Sequence, residues 1–223
     1  MQTNVPPSDT ARAVGRATFA AAVAGTVLAP LHALSRYATA DGAEDLEGPL
    51  VRAWAEPATD LVAPLLTWSD PDTVYLSYGK LWLPVLVVVT ICAVLVRRRR
   101  APDGLERWAW PIALTGYALA TAALLGQYWT PWLDESFVFL GVPGLLASLA
   151  GSTLLGVALL RRGFRPRATG WLLALWLPAV VAISTVMALG AALLPMVWAW
   201  ALASRSLDAE RTVPAPVDAG PRH

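Results

Sequence analysis

The feature that most constrains the fold of this chain is a series of long apolar stretches separated by charged clusters. They cover residues 17–37, 74–96, 108–129, 137–160 and 170–204. About 20 apolar residues in a helix cross about 30 Å of hydrocarbon. Backbone groups inside lipid must be satisfied within the segment, so such stretches form helices. With 56% hydrophobic residues and a mean hydropathy of +0.51, the chain is predicted to be an all-α, polytopic transmembrane helix bundle.

The final stretch, residues 170–204, leaves the number of spans open between five and six. It is too long for one ordinary span and short for two. Pro178, Gly190 and Pro195 interrupt it, and such residues mark kinks or breaks. A break near residues 187–191 gives two short helices, six spans and both termini inside. One long, kinked helix gives five spans and a C-terminal tail outside.

The charged clusters divide the chain further. Residues 1–16 are predicted to form a cytoplasmic tail, residues 17–204 the membrane domain, and residues 205–223 a disordered tail. Ala38 and Ala40 resemble a signal-peptidase site, but the length of the preceding apolar run favours an uncleaved first span. The loop 39–73 contains an apolar stripe interrupted by prolines, which predicts broken, short helices lying on the membrane. The stripe comprises Leu61, Leu65 and Trp68, with Val62 and Leu66 adjacent; Pro57 and Pro71 frame it, and Pro64 lies within it.

Arginine placement predicts the orientation, because short cytoplasmic loops are rich in basic residues. Basic residues cluster after the second and fourth stretches and, more weakly, before the first. The two main clusters are Arg97–Arg100 with Arg107, and Arg161, Arg162, Arg165 and Arg167. The loop 39–73 and the segment around residue 134 are acidic and are predicted to lie outside. The expected location is therefore the cell membrane, with a cytoplasmic N-terminus. Tryptophans near the ends of the stretches fit interfacial belts, namely Trp108, Trp110 and Trp171 inside and Trp82, Trp129 and Trp132 outside.

Ionisable residues near the predicted outer surface are the first functional candidates. This polar cluster comprises His32, Arg36, Lys80, Asp134 and Glu135. His32 and Arg36 lie one helical turn apart, so His32 could relay protons or sense pH, with a carboxylate of the cluster as its partner. The alternative is a neutral His32 bonded to a neighbouring helix. Lys80, the sole lysine, is either an interfacial anchor or a cation that binds an anionic headgroup.

Two patterns of uncharged residues complete the candidates. Tyr75, Tyr78 and Trp82 share one helix face and predict either a stacking surface for a lipid, isoprenoid or sugar, or an aromatic belt. Small residues repeat every fourth position in two stretches, the geometry that lets helices approach closely. They are Gly144, Ser148, Ser152 and Gly156 in one, and Ala118, Ala122 and Gly126 in the other. A close pair of these two helices is expected, with self-association as the alternative.

The sequence lacks the motifs of several classes of function. Cys92 is the sole cysteine, and the two histidines are His32 and His223, so we expect no metal site and no cofactor. P-loop, GxSxG, HExxH and dinucleotide fingerprints are missing. Nucleic-acid binding lacks patterned basic and aromatic residues. Membrane lipids are the expected partners, with another membrane protein or a second copy of this chain as the alternatives to lipid alone.

Four segments resemble a group of small multi-pass membrane proteins of high-GC actinobacteria. They are "APLHALSRYATADG", "TVYLSYGKLWLPV", "QYWTPWLDESF" and "LLGVALLRRGFRPRATGWLLALWLP". The resemblance implies a cell type but no mechanism. Three hypotheses about function therefore stay open. The first is a non-enzymatic accessory, regulatory or lipid-interacting membrane protein. The others are a small-solute transporter or channel, and an enzyme acting on a lipid or isoprenoid at the outer surface.

Overall fold

A computed structural model of the protein describes residues 9–207, and all regular elements in this range are helical. The α-helices are α1 (Asp9–Tyr37), α2 (Pro49–Leu66), α3 (Pro71–Arg98), α4 (Gly104–Trp129), α5 (Leu133–Ser136), α6 (Val142–Arg161), α7 (Arg167–Ala174), α8 (Trp176–Ser184) and α9 (Leu194–Ala203). A π-helical turn, Phe137–Gly141, joins α5 to α6. Short 3-10 helices cover Ala43–Glu47, Leu189–Leu193 and Ser204–Leu207. The all-helical prediction is confirmed for the described residues. Residues 9–16 of the predicted N-terminal tail belong to α1, and the rest of that tail lies outside the described residues. The predicted C-terminal tail lies outside them except for residues 205–207.

Four helices are long and apolar enough to cross a membrane. They are α1, α3, α4 and the continuous helix Leu133–Arg161. The pair α7 and α8 reaches the required length only together, and it is bent by 56°. The described residues therefore contain four such helices, or five if the bent pair counts as one span.

The final stretch differs from both predicted forms, because it contains three short helices. Pro178 lies in α8, and its ring clashes with the carbonyl group four residues earlier in an uninterrupted helix. That carbonyl belongs to Ala174, where α7 ends. A second break follows Ser184, and Ala188 has an extended backbone. The predicted break near residues 187–191 therefore lies slightly late, and the sequence analysis did not include the bend at residue 175.

After this second break the chain runs antiparallel along α1. A Cβ added to Gly190 would lie 3.0 Å from the His32 ring, and one added to Gly25 would lie 3.7 Å from Leu194. Ser204 packs beside Gly15. Residue 207 consequently lies at the same end of the bundle as the start of α1.

The two ends of the bundle differ in charge. One end, called the arginine end, carries the loops 99–103 and 162–166 and the start of α1. The opposite end, called the acidic end, carries the segments 38–70 and 130–132. Asp70 caps α3 at the acidic end, where its carboxylate accepts the backbone N–H of Thr73 at 2.9 Å. This hydrogen bond lowers the pKa of Asp70.

At the arginine end a buried carboxylate ties the two basic loops together. Glu106 accepts from Arg100 at 2.5 and 2.9 Å and from Arg162 at 3.2 Å. The indole N–H of Trp110 donates to it at 3.0 Å. The Glu106 side chain is fully buried, whereas the two arginine side chains are 22% and 31% exposed. The cluster fixes the start of α4 against the ends of α3 and α6.

The middle of the bundle is filled by aromatic side chains whose polar atoms are paired. Trp110 and Trp200 pack at 5.5 Å between ring centroids. Trp200 donates to the Tyr117 hydroxyl at 3.1 Å, and this hydroxyl lies 2.6 Å from that of Ser152. Such pairing removes the cost of burying polar groups. Because Trp110, like Trp82, is almost fully buried, both belong to the core and not to the predicted interfacial belts.

The closest helix contact is between α4 and α6. A Cβ on Gly116 would lie 2.2 Å from the Ser148 nitrogen, and one on Gly144 would lie 2.7 Å from the Ala120 nitrogen. Ala118 and Ala122, which were expected on this face of α4, are exposed. The remaining predicted positions have various neighbours: Gly126 contacts Ser136, Ser152 bonds to Tyr117, and Gly156 faces α7. The α4 contact surface is thus rotated from the predicted one.

In the acidic loop, α2 is one continuous helix of 18 residues, which corrects the prediction of a broken helix. Pro57 and Pro64 each remove one helical hydrogen bond. The carbonyl groups freed four residues earlier belong to Ala53 and Asp60, which are exposed, so the surroundings can satisfy them. The predicted apolar stripe remains exposed, with Leu61 at 83%. The Trp54 indole donates to the Val186 carbonyl at 2.6 Å, which ties α2 to the break after α8.

A candidate binding site at the acidic end

A cavity of about 650 Å³ lies at the acidic end. Its walls come from the last turns of α1 and α4, the first half of α3, the acidic loop, the segment from α5 to the first turns of α6, and the segment from Ser184 to Leu193. Most of its lining is apolar, for example Leu86, Leu124 and Leu145. Cavities of this size and composition are typical of sites for small molecules.

His32 is the central polar residue of the wall, and two tyrosines fix its ring. The Tyr128 hydroxyl lies 3.1 Å from His32 Nε2. The ring of Tyr75 stacks on the imidazole at 4.9 Å with 12° between the planes. The two tyrosine hydroxyls are 3.3 Å apart. Gly79 provides the space for Tyr128, since a Cβ there would lie 2.1 Å from its ring. The imidazole is therefore held in one orientation.

Arg36 lies at the edge of the cavity and has acceptors of its own. Its guanidinium is 5.7 Å from the centroid of the Tyr75 ring. Nε is 3.6 Å from the Asp45 carboxylate, and Nη2 donates to the Asp41 carbonyl at 3.3 Å. The charge of Arg36 is thus compensated by the acidic loop.

Two buried nitrogens of the wall have no hydrogen-bond partner among residues 9–207: His32 Nδ1 and Trp82 Nε1. His32 is 6% exposed and Trp82 is 1% exposed. Both atoms face Gly190, because a Cβ on that residue would lie 3.0 Å from Nδ1 and 3.8 Å from Nε1. Leaving such groups unpaired costs about 1–3 kcal/mol each. One oxygen atom bound beside Gly190 could reach both.

Trp82 is exceptional among the buried tryptophans. The indole groups of Trp110, Trp176 and Trp200, which are also buried, donate to Glu106, to the Ala192 carbonyl and to Tyr117. The other three buried indole N–H groups are therefore all hydrogen-bonded. The free N–H of Trp82 is a feature of the cavity.

The structure brings together only part of the predicted residues. His32, Arg36 and Asp134 line the cavity, as do Tyr75 and Trp82 from the predicted aromatic face. The ring partners of His32 are the two tyrosines and not the expected carboxylates.

Three predicted residues lie elsewhere. Lys80 Nζ is 5.7 Å from the centroid of the Trp129 ring. The Tyr78 hydroxyl donates to the Leu65 carbonyl at 2.7 Å. Glu135 lines a separate, smaller depression.

Sequence reasoning missed Tyr128, Gly79 and Gly190 as parts of this site. Tyr128 ends an apolar run, and no charged residue lies beside it in the sequence to mark it as part of a site. Gly190 was considered only as a helix breaker. The pairing of Gly79 with a bulky aromatic residue 49 positions later in the chain becomes visible only when α3 packs on α4. Glu106 was missed for a different reason. It lies in the segment "RRRRAPDGLER", which the arginines mark as a basic loop.

No group of three or more His, Cys, Asp or Glu side chains in residues 9–207 is arranged to hold a metal ion. Searches against protein-family models, curated proteins and solved structures find no match to the chain. The function must therefore be argued from the cavity itself.

Proposed function

We propose that this protein is a multi-pass integral protein of the cell membrane that binds a lipid-like amphiphile in the cavity at the acidic end. It acts as a non-enzymatic accessory or regulatory protein. The observation that carries the proposal is an apolar cavity of about 650 Å³ with two unpaired buried nitrogens, His32 Nδ1 and Trp82 Nε1, at one point of its wall. Apolar walls suit hydrocarbon, and the two nitrogens suit a polar head.

The arrangement in the membrane follows from the charges and lengths of the helices. Four long apolar helices provide four of the spans. The bent pair α7 and α8, and then the segment that returns along α1, connect the same two ends of the bundle. The arginine end is placed in the cytoplasm, because basic residues are retained there. Both ends of the described chain then lie inside, since residue 207 lies near the start of α1. The cavity consequently lies in the outer half of the membrane, where lipids have access to it.

Binding is favoured over transport by how the bundle is filled. Trp110, Tyr117 and Trp200 are almost fully buried in its middle, and the Glu106 cluster ties the helices at the arginine end. A transporter needs a path that opens alternately to both sides. Catalysis at the outer surface is less supported, because His32 contacts tyrosines and not a carboxylate that could act with it.

The proposal is tested by filling the cavity. Leu124 lines it, whereas the adjacent Leu125 is 50% exposed. The full-length protein and the variants Leu124→Trp and Leu125→Trp are purified in mild detergent, and co-purifying lipids are extracted and quantified by mass spectrometry. We expect one lipid class to be retained by the parent and by Leu125→Trp, and to be lost from Leu124→Trp. Equal retention by both variants, at unchanged melting temperature, would contradict the proposal.

A further inference from the structure

The polar atoms of the cavity also restrict the head of the ligand. This inference rests on the proposed function and adds to it the chemical class of the ligand. The relevant observations are the charge of the lining, the hydrogen-bonding character of Trp82, and the space at Gly190.

The lining does not favour an anionic head. Its fully ionised side chains are one guanidinium, from Arg36, and two carboxylates, from Asp45 and Asp134. With His32 as a neutral imidazole, one positive and two negative charges leave a formal charge of −1. The guanidinium is in addition paired with Asp45 at 3.6 Å. A phosphate would therefore meet an excess of like charge.

The donor at the bottom of the cavity does not favour a cationic head. An indole N–H can only donate a hydrogen bond. An ammonium group has no acceptor, so it would leave Trp82 Nε1 unpaired. The matching group is a neutral oxygen. His32 Nδ1 either donates to this oxygen or accepts from its hydroxyl hydrogen, according to which tautomer the bond between Nε2 and Tyr128 selects.

Gly190 provides the space for that oxygen. Both unpaired nitrogens lie within 4 Å of the position that a Cβ of residue 190 would occupy. The backbone of Gly190 needs no positive φ, because the structure places positive φ in residues 9–207 at Gly104 and Gly163 alone. The glycine is therefore not required by backbone conformation. Alanine would fit the backbone and fill the space that the oxygen needs.

We infer that the cavity binds a neutral lipid whose head presents a carbonyl or hydroxyl oxygen to Trp82 Nε1 and His32 Nδ1 beside Gly190. Two sources share this chemistry. A short-chain isoprenoid quinone presents a carbonyl oxygen, and an isoprenoid alcohol or a diacylglycerol presents a hydroxyl.

The test measures binding to the delipidated full-length protein in detergent by native mass spectrometry and by titrated thermal shift. The probes are an isoprenoid naphthoquinone, an isoprenoid alcohol, dioleoylglycerol and the anionic dioleoylphosphatidylglycerol. The variants are Trp82→Phe, which removes the donor, and Gly190→Ala, which fills the space. Gly15→Ala is the control, because its added Cβ meets nothing nearer than 3.7 Å, at the arginine end.

We expect at least one neutral probe to bind more tightly than the anionic lipid. Trp82→Phe and Gly190→Ala should each raise its Kd about tenfold, the effect of losing one buried hydrogen bond. Gly15→Ala should leave Kd unchanged. The probe that binds identifies the oxygen as carbonyl or hydroxyl.

Other outcomes overturn the inference in distinguishable ways. If phosphatidylglycerol binds best and Gly190→Ala abolishes this binding, the inferred head is wrong while the proposed function stands. If a probe binds and neither variant changes its Kd, the inferred contact of the head with Trp82 and His32 is wrong while the proposed function stands. If no probe binds, both are wrong.

Discussion

Tyr128 fixes His32 only because residue 79 has no side chain. An added Cβ would lie 2.1–2.6 Å from three atoms of the Tyr128 ring, and this ring is held by His32 and Tyr75. Gly79→Ala should therefore destabilise the protein by about 1–3 kcal/mol, the usual cost of overpacking. Thermal unfolding in mild detergent, followed by circular dichroism, measures it.

The control for this prediction is Gly15→Ala, whose Cβ would have ordinary contacts of 3.7 Å or more. Alanine is a better helix former than glycine, so this variant should be neutral or gain up to about 1 kcal/mol. Equal melting temperatures for the two variants would show that Tyr128 moves aside freely, and that it does not fix His32.

The Glu106 cluster predicts an asymmetry between its members. Arg100→Gln leaves the fully buried Glu106 carboxylate with one positive charge fewer beside it, which should lower the free energy of unfolding by about 3–5 kcal/mol. Glu106→Gln leaves arginines that are 22% and 31% exposed and can turn towards water, so its cost should be nearer 1–3 kcal/mol. Unfolding by added SDS compares the two.

Arg98→Gln removes the same charge from an exposed position two residues earlier and should change the stability by less than about 0.5 kcal/mol. If Glu106→Gln were the more damaging change, the arginines and not the carboxylate would be the desolvated partners.

Lys80 and Trp82 show that the sequence can predict the depth of a side chain in the bundle but not its direction. Lys80 and Trp82 lie at similar depths, and depth follows from position in the run. Their directions differ, because two residues along a helix turn it by about 200°. Lys80 accordingly lies near Trp129 while Trp82 faces the core. A belt assignment from position alone cannot distinguish these two cases.

At the scale of elements, the contact between α4 and α6 depends on glycine. A Cβ on Gly116 would lie 2.2 Å from the nitrogen and 2.5 Å from the Cα of Ser148. These are backbone atoms, so α6 itself must move. Gly116→Ala should therefore lower the free energy of unfolding by more than 1 kcal/mol and by up to about 3 kcal/mol. Titration with SDS measures this change.

Gly25→Ala is the matched control, since its Cβ would lie 3.5 Å or more from its nearest neighbours, Trp82 and Leu194. It should unfold at the same SDS fraction as the parent or a higher one. If Gly116→Ala behaved in the same way, the close approach of the two helices would not contribute to stability.

The sequence predicts that small residues lie between these two helices. It does not predict which small residues of α4 form the contact. In α6 the small residues alternate with leucines, so one face stands out. In α4 small residues occupy most faces, and the four-residue repeat through Ala118 and Ala122 is one of several. The contact uses Ala113, Gly116 and Ala120 instead. Only packing against a partner selects among equivalent faces.

The final stretch shows the same limit for helix ends. The prolines and Gly190 predicted a break, and the chain does break there. The effect of Pro178 falls four residues earlier, at Ala174, because its ring collides with that carbonyl. The number of spans therefore cannot be obtained by dividing the length of the stretch by the length of a regular span. A chain that bends can cross the same thickness with several short helices.

For the whole molecule, helix class and the separation of charge followed from the sequence, because apolar length and loop charge are properties of single segments. The cavity could not be predicted in this way. His32, Tyr75 and Tyr128 come from three helices, and their meeting depends on how α1, α3 and α4 pack. The acidic loop adds Asp45 beside Arg36, which changes the formal charge of the cavity lining from zero, for Arg36 and Asp134 alone, to −1.

The arrangement in the membrane gives the last prediction. Cys92 is buried, so the parent should not react with a membrane-impermeant maleimide, and single cysteines can be added in a Cys92→Ala background. Ala40 and Ala101 are both exposed alanines, one at the acidic end and one at the arginine end. Ala40→Cys should be labelled in intact cells. Ala101→Cys should be labelled only after the membrane is permeabilised, because the proposed orientation places the arginine loops in the cytoplasm.

Ser206→Cys tests whether the segment from Leu189 to Leu207 runs back along α1 to the arginine end. It should behave like Ala101→Cys, since both lie at the arginine end. Labelling of Ala101→Cys in intact cells would reverse the orientation and place the cavity on the cytoplasmic side. Labelling of Ser206→Cys alone would instead show that the last segment does not return along α1, and the position of Gly190 beside His32 would then be wrong as well.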